Sequence, residues 1–157
     1  MKKRITRRQA DSDGDFASSL PAILKSIYAA RGVKTDSDLD CSLQHLLPPD
    51  SLLGIDSAVA CMCDALHNHK RILIVGDFDA DGATSCAVGV RGLRLLGFKD
   101  VDFLVPNRFE YGYGLTPEIV DVAAKATPDL IVTVDNGIAA CEGVAHAGKL
   151  GIDVLVT

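Results

Sequence analysis

The residues best suited to do chemistry are the three aspartates of Gly76-Asp77-Phe78-Asp79-Ala80-Asp81-Gly82. A free aspartate has a pKa of roughly 3.9, so all three are ionised near neutrality unless something intervenes. Packed at alternate positions, they repel one another. A divalent cation relieves that repulsion, and hard carboxylate oxygens suit magnesium, manganese or calcium. The same order of residues opens an EF-hand loop, but that loop needs a glutamate at its twelfth position. Counted from Asp77, the twelfth residue is Val88, in an apolar stretch, which argues against the EF-hand. The plain alternative is a solvated turn, for which so many aspartates are an unusual choice.

A second acidic segment is Val134-Asp135-Asn136-Gly137. Alone it is a weak signal, because Asn-Gly often only makes a turn. Between the two lies Pro106-Asn107-Arg108-Phe109-Glu110-Tyr111-Gly112-Tyr113-Gly114-Leu115. Arg108 could meet a phosphate through its planar fork. Phe109, Tyr111 or Tyr113 could stack on a base, or could pack against their own domain. Gly112-x-Gly114 is not a dinucleotide fingerprint, since it lacks the strand before it and the third glycine ahead of a helix.

These segments need elements to position them. Residues 71–75 form a short, continuous β-branched run, as expected of a strand buried on both faces. Further strands are expected at 101–105, 130–134 and 153–156. Helices are expected at about 83–96, from Thr116-Pro117-Glu118 onward, and at about 139–149. Alternating strands and helices imply an α/β domain with a mostly parallel sheet flanked by helices. Both acidic segments then sit just past a strand. In open α/β sheets, ligands bind outside the carboxyl ends of the strands. Carboxylates from two such ends can converge on shared metal ions.

Upstream, residues 19–70 read as a helical N-terminal segment. Ser19 is a candidate cap with Pro21 in the first turn, Gly32 is a stop, and a second helix runs over about 56–67. Residues 1–18 read as a mobile arm, basic and then acidic; it is either a solvated tail or a phosphate-attracting arm. The division is therefore 1–18, 19–70 and 71–157.

The chain has 157 residues, of which 48% are hydrophobic and 24% charged, which suits one soluble globular domain or a domain plus an appendage. No apolar run nears the ~20 residues that span a bilayer, and the basic start lacks a signal peptide's apolar core. A cytoplasmic location is the expectation. Five cysteines, an odd number, argue against a disulfide framework, and Cys61-x-Cys63 has no zinc-site partner pair. The net charge of −5 counts only weakly against a nucleic-acid partner, because bound cations would invert the field at an acidic site. None of His45, His67, His69 and His146 is assigned as a ligand.

Taken together, residues 71–85, 106–115 and 133–138 resemble the motifs of the RecJ-type exonucleases, a branch of the DHH phosphoesterase family. Residues 27–33 are similar to that family's N-terminal helix. The resemblance covers roughly residues 20–157. It implies a metal-dependent enzyme that degrades single-stranded DNA from the 5′ end in repair and recombination, with two Mn2+ or Mg2+ ions typically ~3.5–4 Å apart. Asp77, Asp79, Asp81 and Asp135 would hold the metals, with Asp79, Asp81 and Asp135 catalytic. Arg108 would meet phosphate, and Phe109, Tyr113 and Asn136 would contact substrate. Single-stranded DNA is the implied partner, with a single-strand-binding protein or a helicase as candidate protein partners and no membrane. The family's Asp-His-His motif is expected directly after Thr157, so its histidine ligands are not among these residues. Two other readings stay open: a phosphoesterase of the same superfamily acting on short nucleotides or pyrophosphate, and a non-catalytic fragment.

Overall fold

The computed structural model describes residue 6 and residues 14–17 and 19–157. Most of the arm expected over 1–18 lies outside the described residues. The chain divides into two compact units, one ending at Ser51 and the other beginning at Leu52. The second helix of the expected N-terminal segment therefore belongs with the sheet. Its apolar face is the reason: Ala65 is fully buried, and Cys61, Met62 and Leu66 pack on the same cluster as the strands.

The first unit contains helix α1 (Ala22–Ala29) and three short 3-10 turns. Pro21, not Ser19, stands at the α1 N-cap, where its fixed φ suits helix entry. Asp15 bridges to Thr35 through the backbone, and the rings of Phe16 and Tyr28 lie 6.3 Å apart. The described end of the arm is thus folded against α1 and the turn that follows it.

In the second unit, helix α2 (Ile55–His67) leads into strand β1 (Ile72–Val75) and helix α3 (Ala80–Leu95). Strand β2 (Val101–Leu104), the short helix α4 (Arg108–Tyr111) and helix α5 (Pro117–Ala124) come next. Strand β3 (Leu130–Thr133), helix α6 (Cys141–Lys149) and strand β4 (Asp153–Val156) complete it. The sheet is parallel throughout, in the order β2-β1-β3-β4.

Burial follows the hydropathy of each strand. The central β1 and β3 are buried at every position, whereas the edge strands β2 and β4 are largely exposed or half-buried. Ile72, Ile74, Leu130 and Val132 face α2 and α3, with Cys86, Val90 and Phe98. Leu73, Val75 and Ile131 face α5 and α6, with Ile119, Val120 and Ala147. Each fully buried aliphatic side chain contributes roughly 1.5–3 kcal/mol. The helix after β1 thus covers one face and the helix after β3 covers the other. Between these neighbouring strands the chain changes direction, which makes their carboxyl ends the switch point of the sheet.

Helix α6 comes very close to the segment before α5. A Cβ at Gly143 would lie 1.9 Å from the Leu115 carbonyl oxygen, whereas one at Gly148 in the same helix would meet nothing within 4 Å. Gly143→Ala is therefore expected to cost about 1–3 kcal/mol or more through overpacking against backbone. Gly148→Ala should be neutral or stabilising by up to about 1 kcal/mol through helix propensity. Urea melts of the two variants measure the difference directly.

Candidate metal centre at the switch point

The carboxyl ends of β2, β1 and β3 stand in a row. Helix α3 starts inside the acidic motif rather than after it: Asp79 is its N-cap, and Asp79 Oδ1 accepts from the Gly82 amide at 3.1 Å. Asp81 falls in the first helical turn, where the helix dipole favours negative charge. Asp77 is buried, only 8% exposed, and its Oδ1 accepts from the Phe78 amide at 2.8 Å. Glycine is required at 82 because a Cβ there would lie 2.1 Å from the Asp77 carbonyl oxygen. The motif folds back on itself this tightly only without a side chain at that position.

Arg108 reaches in from the loop after β2. Its Nη2 donates to Asp77 Oδ2 and lies 3.8 Å from Asp79 Oδ2. The guanidinium sits 4.5 Å from the Phe78 ring centroid and 5.2 Å from that of Tyr113. Such stacking favours a cation held in a partly desolvated place. The Tyr113 hydroxyl in turn donates to the Asp135 carbonyl at 3.1 Å, tying the β2 loop to the β3 loop.

Asp135 has a left-handed backbone, with φ of 60°. Aspartate and asparagine tolerate this region better than most residues. Its carboxyl is pushed above the usual carboxylate value, first by lost hydration and then by the negative charges of Asp79, Asp81 and Asp77, with Arg108 pulling the other way. The two acidic loops leave neighbouring strands, β1 and β3, at the same edge of the sheet. Among the described residues, no three His, Cys, Asp or Glu side chains are drawn together as a metal's ligand set. The cation standing among these carboxylates is Arg108. The donor chemistry still fits a hard divalent ion: all four side chains offer carboxylate oxygens, and their mutual repulsion is the kind such an ion removes.

The other expected residues fall as follows. Phe109 is 89% exposed and meets Phe78 edge-on, with centroids 6.0 Å apart. Tyr111 packs against the core beside α5 instead of lining the site. The Asn136 amide group points inward, donating to the Val75 and Val134 carbonyls at 3.1 and 2.9 Å. Phe78, which reads as a mere spacer between aspartates, proves to be an aromatic wall for Arg108; only its position between two ligating residue types hinted at this. Beside the acidic cluster opens a cleft of about 600 Å³, lined by Tyr113, Thr116, Glu118, Asn136, Gly137 and Glu142 among others. His45 and His146 pair with Asp40 and Asp121, and His67 bonds the Cys63 carbonyl.

The chain is similar to known proteins in sequence and in fold. Residues 71–157 match the family model described as "DHH family, N-terminal domain". The chain is 50% identical over 156 residues to the single-stranded-DNA-specific exonuclease RecJ of Salmonella typhimurium, covering 99% of this chain and 27% of that protein. It is 49% identical over 159 residues to the Escherichia coli protein of the same name, covering 100% of this chain and 28% of that one. The chain thus spans little more than a quarter of the length of these curated relatives. Among solved structures, it is similar to an exonuclease RecJ bound to manganese, at 42% identity and a TM-score of 0.62, over 71% of this chain and 28% of that chain. It is also similar to RecJ of Thermus thermophilus in complex with Mn2+, at 37% identity and a TM-score of 0.58, over 82% of this chain and 17% of that chain.

The crowding around Asp135 has a pH consequence. In the unfolded chain this carboxyl titrates near 3.8, and in the folded protein it titrates higher. The folded state therefore holds the proton more tightly. That contribution to stability is complete below the unfolded value and is lost as pH rises through the folded one. Asp135→Asn should raise the melting temperature of the metal-free protein at neutral pH. The gain should shrink steadily on acidification toward the unfolded value. Thermal melts in chelator across that range check both the sign and the window. Any benefit of asparagine to the left-handed backbone would be independent of pH.

Proposed function

Because the chain belongs to the DHH family, on the branch of the RecJ exonucleases, we propose that it carries the acidic half of the active site of a metal-dependent single-stranded-DNA exonuclease. The whole enzyme hydrolyses phosphodiester bonds from the 5′ end, in repair and recombination. The observation that carries this reading is the placement of Asp77, Asp79, Asp81 and Asp135 just past two adjacent parallel strand ends, with Arg108 paired to Asp77 and near Asp79. Asp77, Asp79, Asp81 and Asp135 would hold Mn2+, the ion named for the related solved structures, or the similarly hard Mg2+. When bound, such ions supply a water nucleophile at neutral pH and neutralise charge on the reacting phosphate.

The chain's own residues divide the remaining work. Arg108 leaves its carboxylate partners and pairs with a phosphate of the strand. Phe109, exposed at the rim, offers a face to a base, and the Tyr113 ring stacks on the Arg108 guanidinium. Glu118 and Glu142 in the adjoining cleft would repel a phosphate, so this cleft suits the sugar and base while the phosphate stays by Arg108. A single-strand-binding protein or a helicase is the candidate protein partner. Five free cysteines fit a reducing compartment, in keeping with a cytoplasmic enzyme. Among the described residues, no helix is long and apolar enough to cross a membrane.

Two experiments test the reading. Manganese titration followed by electron paramagnetic resonance should show weak binding by the 157 residues, lost in Asp81→Ala, with little or no digestion of single-stranded DNA. Digestion by these residues alone, metal-dependent and abolished by Asp81→Ala, would show that the site is self-sufficient. In a longer protein containing this chain, Arg108→Ala should weaken single-stranded DNA binding similarly for all sequences. It should also flatten the salt dependence by about 0.7 in log–log slope, the share of one phosphate contact. The same variant should lose about 1.5–3 kcal/mol of stability, because Asp77 loses its charged hydrogen-bond partner. A stability loss with an unchanged salt slope would reduce Arg108 to a brace for the loop.

A further inference from the structure

We infer that Asn136 is a positioning residue: its side-chain amide straps the two acidic loops together and sets the distance between their carboxylates. The backbone ladder between β1 and β3 runs to the pair Val75 and Thr133. One more bond, from the Val134 amide to the Val75 carbonyl at 3.0 Å, closes it. Beyond that point the strands have no further rung, and each turns into an acidic loop. Asn136 Nδ2 then donates to the same Val75 carbonyl at 3.1 Å and to the Val134 carbonyl at 2.9 Å. A side chain thus adds the next rung.

The placement of the acceptors gives the strap its meaning. Val75 is followed by Gly76 and Asp77, and Val134 is followed directly by Asp135. The amide therefore grips the two chains two residues before Asp77 and one residue before Asp135. Both of its hydrogens are used, and a flipped amide would set its oxygen against two carbonyl oxygens, so the orientation is unique. The backbone is shaped to deliver it. Asp135 at φ 60° and Gly137 at φ 114° turn the chain back toward β1. The Asn136 oxygen is buried without a partner, so the residue does not sit here for the sake of all its hydrogen bonds. A residue serving only its own turn would need the Val134 bond and not the Val75 bond.

Backbone hydrogen exchange on the metal-free 157-residue chain tests this without relying on the proposed enzymatic reading. Asn136→Ala, and the isosteric Asn136→Asp, which lacks the donors, should speed exchange in both residues 76–82 and residues 134–138. About tenfold is expected, the equivalent of losing one or two ordinary hydrogen bonds. Exchange in α2 and α5 should be unchanged. Acceleration confined to residues 134–138 would overturn the strap. Should Asn136→Ala unfold globally, Asn136→Ser, which keeps one donor, carries the same comparison. A second arm rests on the metal-binding reading: manganese affinity should fall about 10–100-fold in the variants, the usual cost of losing support behind a metal's ligands. Equal affinity in wild type and variants would overturn the positioning role. Absence of manganese binding by the wild type would instead sink the metal reading and leave the exchange comparison to decide the strap.

Discussion

Parallel pairing of β1 with β3 forces two acidic loops to leave the sheet side by side, and the resulting repulsion is the constraint around which the site is organised. A parallel sheet aligns every carboxyl end on one edge. At the switch point the crossovers part to opposite faces, so neither covers the gap. Negative charge placed there stays partly open to solvent and close to its own kind. Each neighbouring element answers that difficulty in a different way.

Helix α3 answers with its amino end, capped by Asp79 and carrying Asp81 in its first turn. The segment after strand β2 contributes Arg108, at the start of α4, whose guanidinium lies against the rings of Phe78 and Tyr113. The β3 loop answers with the Asn136 amide and with the Asp135 carbonyl that receives Tyr113. These contacts link three strand ends through side chains where the backbone ladder has ended. A guanidinium balances charge without holding several carboxylates in a tight shell, which accounts for neighbouring carboxylates that form no ligand set among the described residues.

The central strands were legible in the sequence because burial on both faces leaves an unbroken β-branched run, and β1 and β3 have it. The pairing of two acidic strand ends was legible too, since their motifs carry their own signal. The start of α3 at Ala80 was harder to see: Asp79 looks like a ligand, and its second role as a cap depends on the Gly82 amide. Arg108 could be recognised as a cation near the site, but nothing local says that it turns toward Asp77, 31 residues away. Asn136 was expected to contact substrate, and its inward bond was masked by Asn-Gly turn chemistry, since that bond reaches Val75 across 61 residues. The grouping of α2 with the sheet was hidden for the same reason: helical periodicity reveals an apolar face but not what covers it.

The backbone at Asp135 carries a consequence for which residue types can occupy that position. Two independent filters act there. The left-handed conformation admits glycine, asparagine and aspartate readily and penalises longer or branched side chains. The place in the charge cluster, if it is to serve a cation, admits only an acid. Glutamate passes the second filter and is disfavoured by the first; asparagine and glycine pass the first and fail the second. The intersection contains aspartate alone. A designer moving this site to another sheet would therefore need to transplant the turn along with the carboxylate, because the amino acid and the twist of its backbone form one specification.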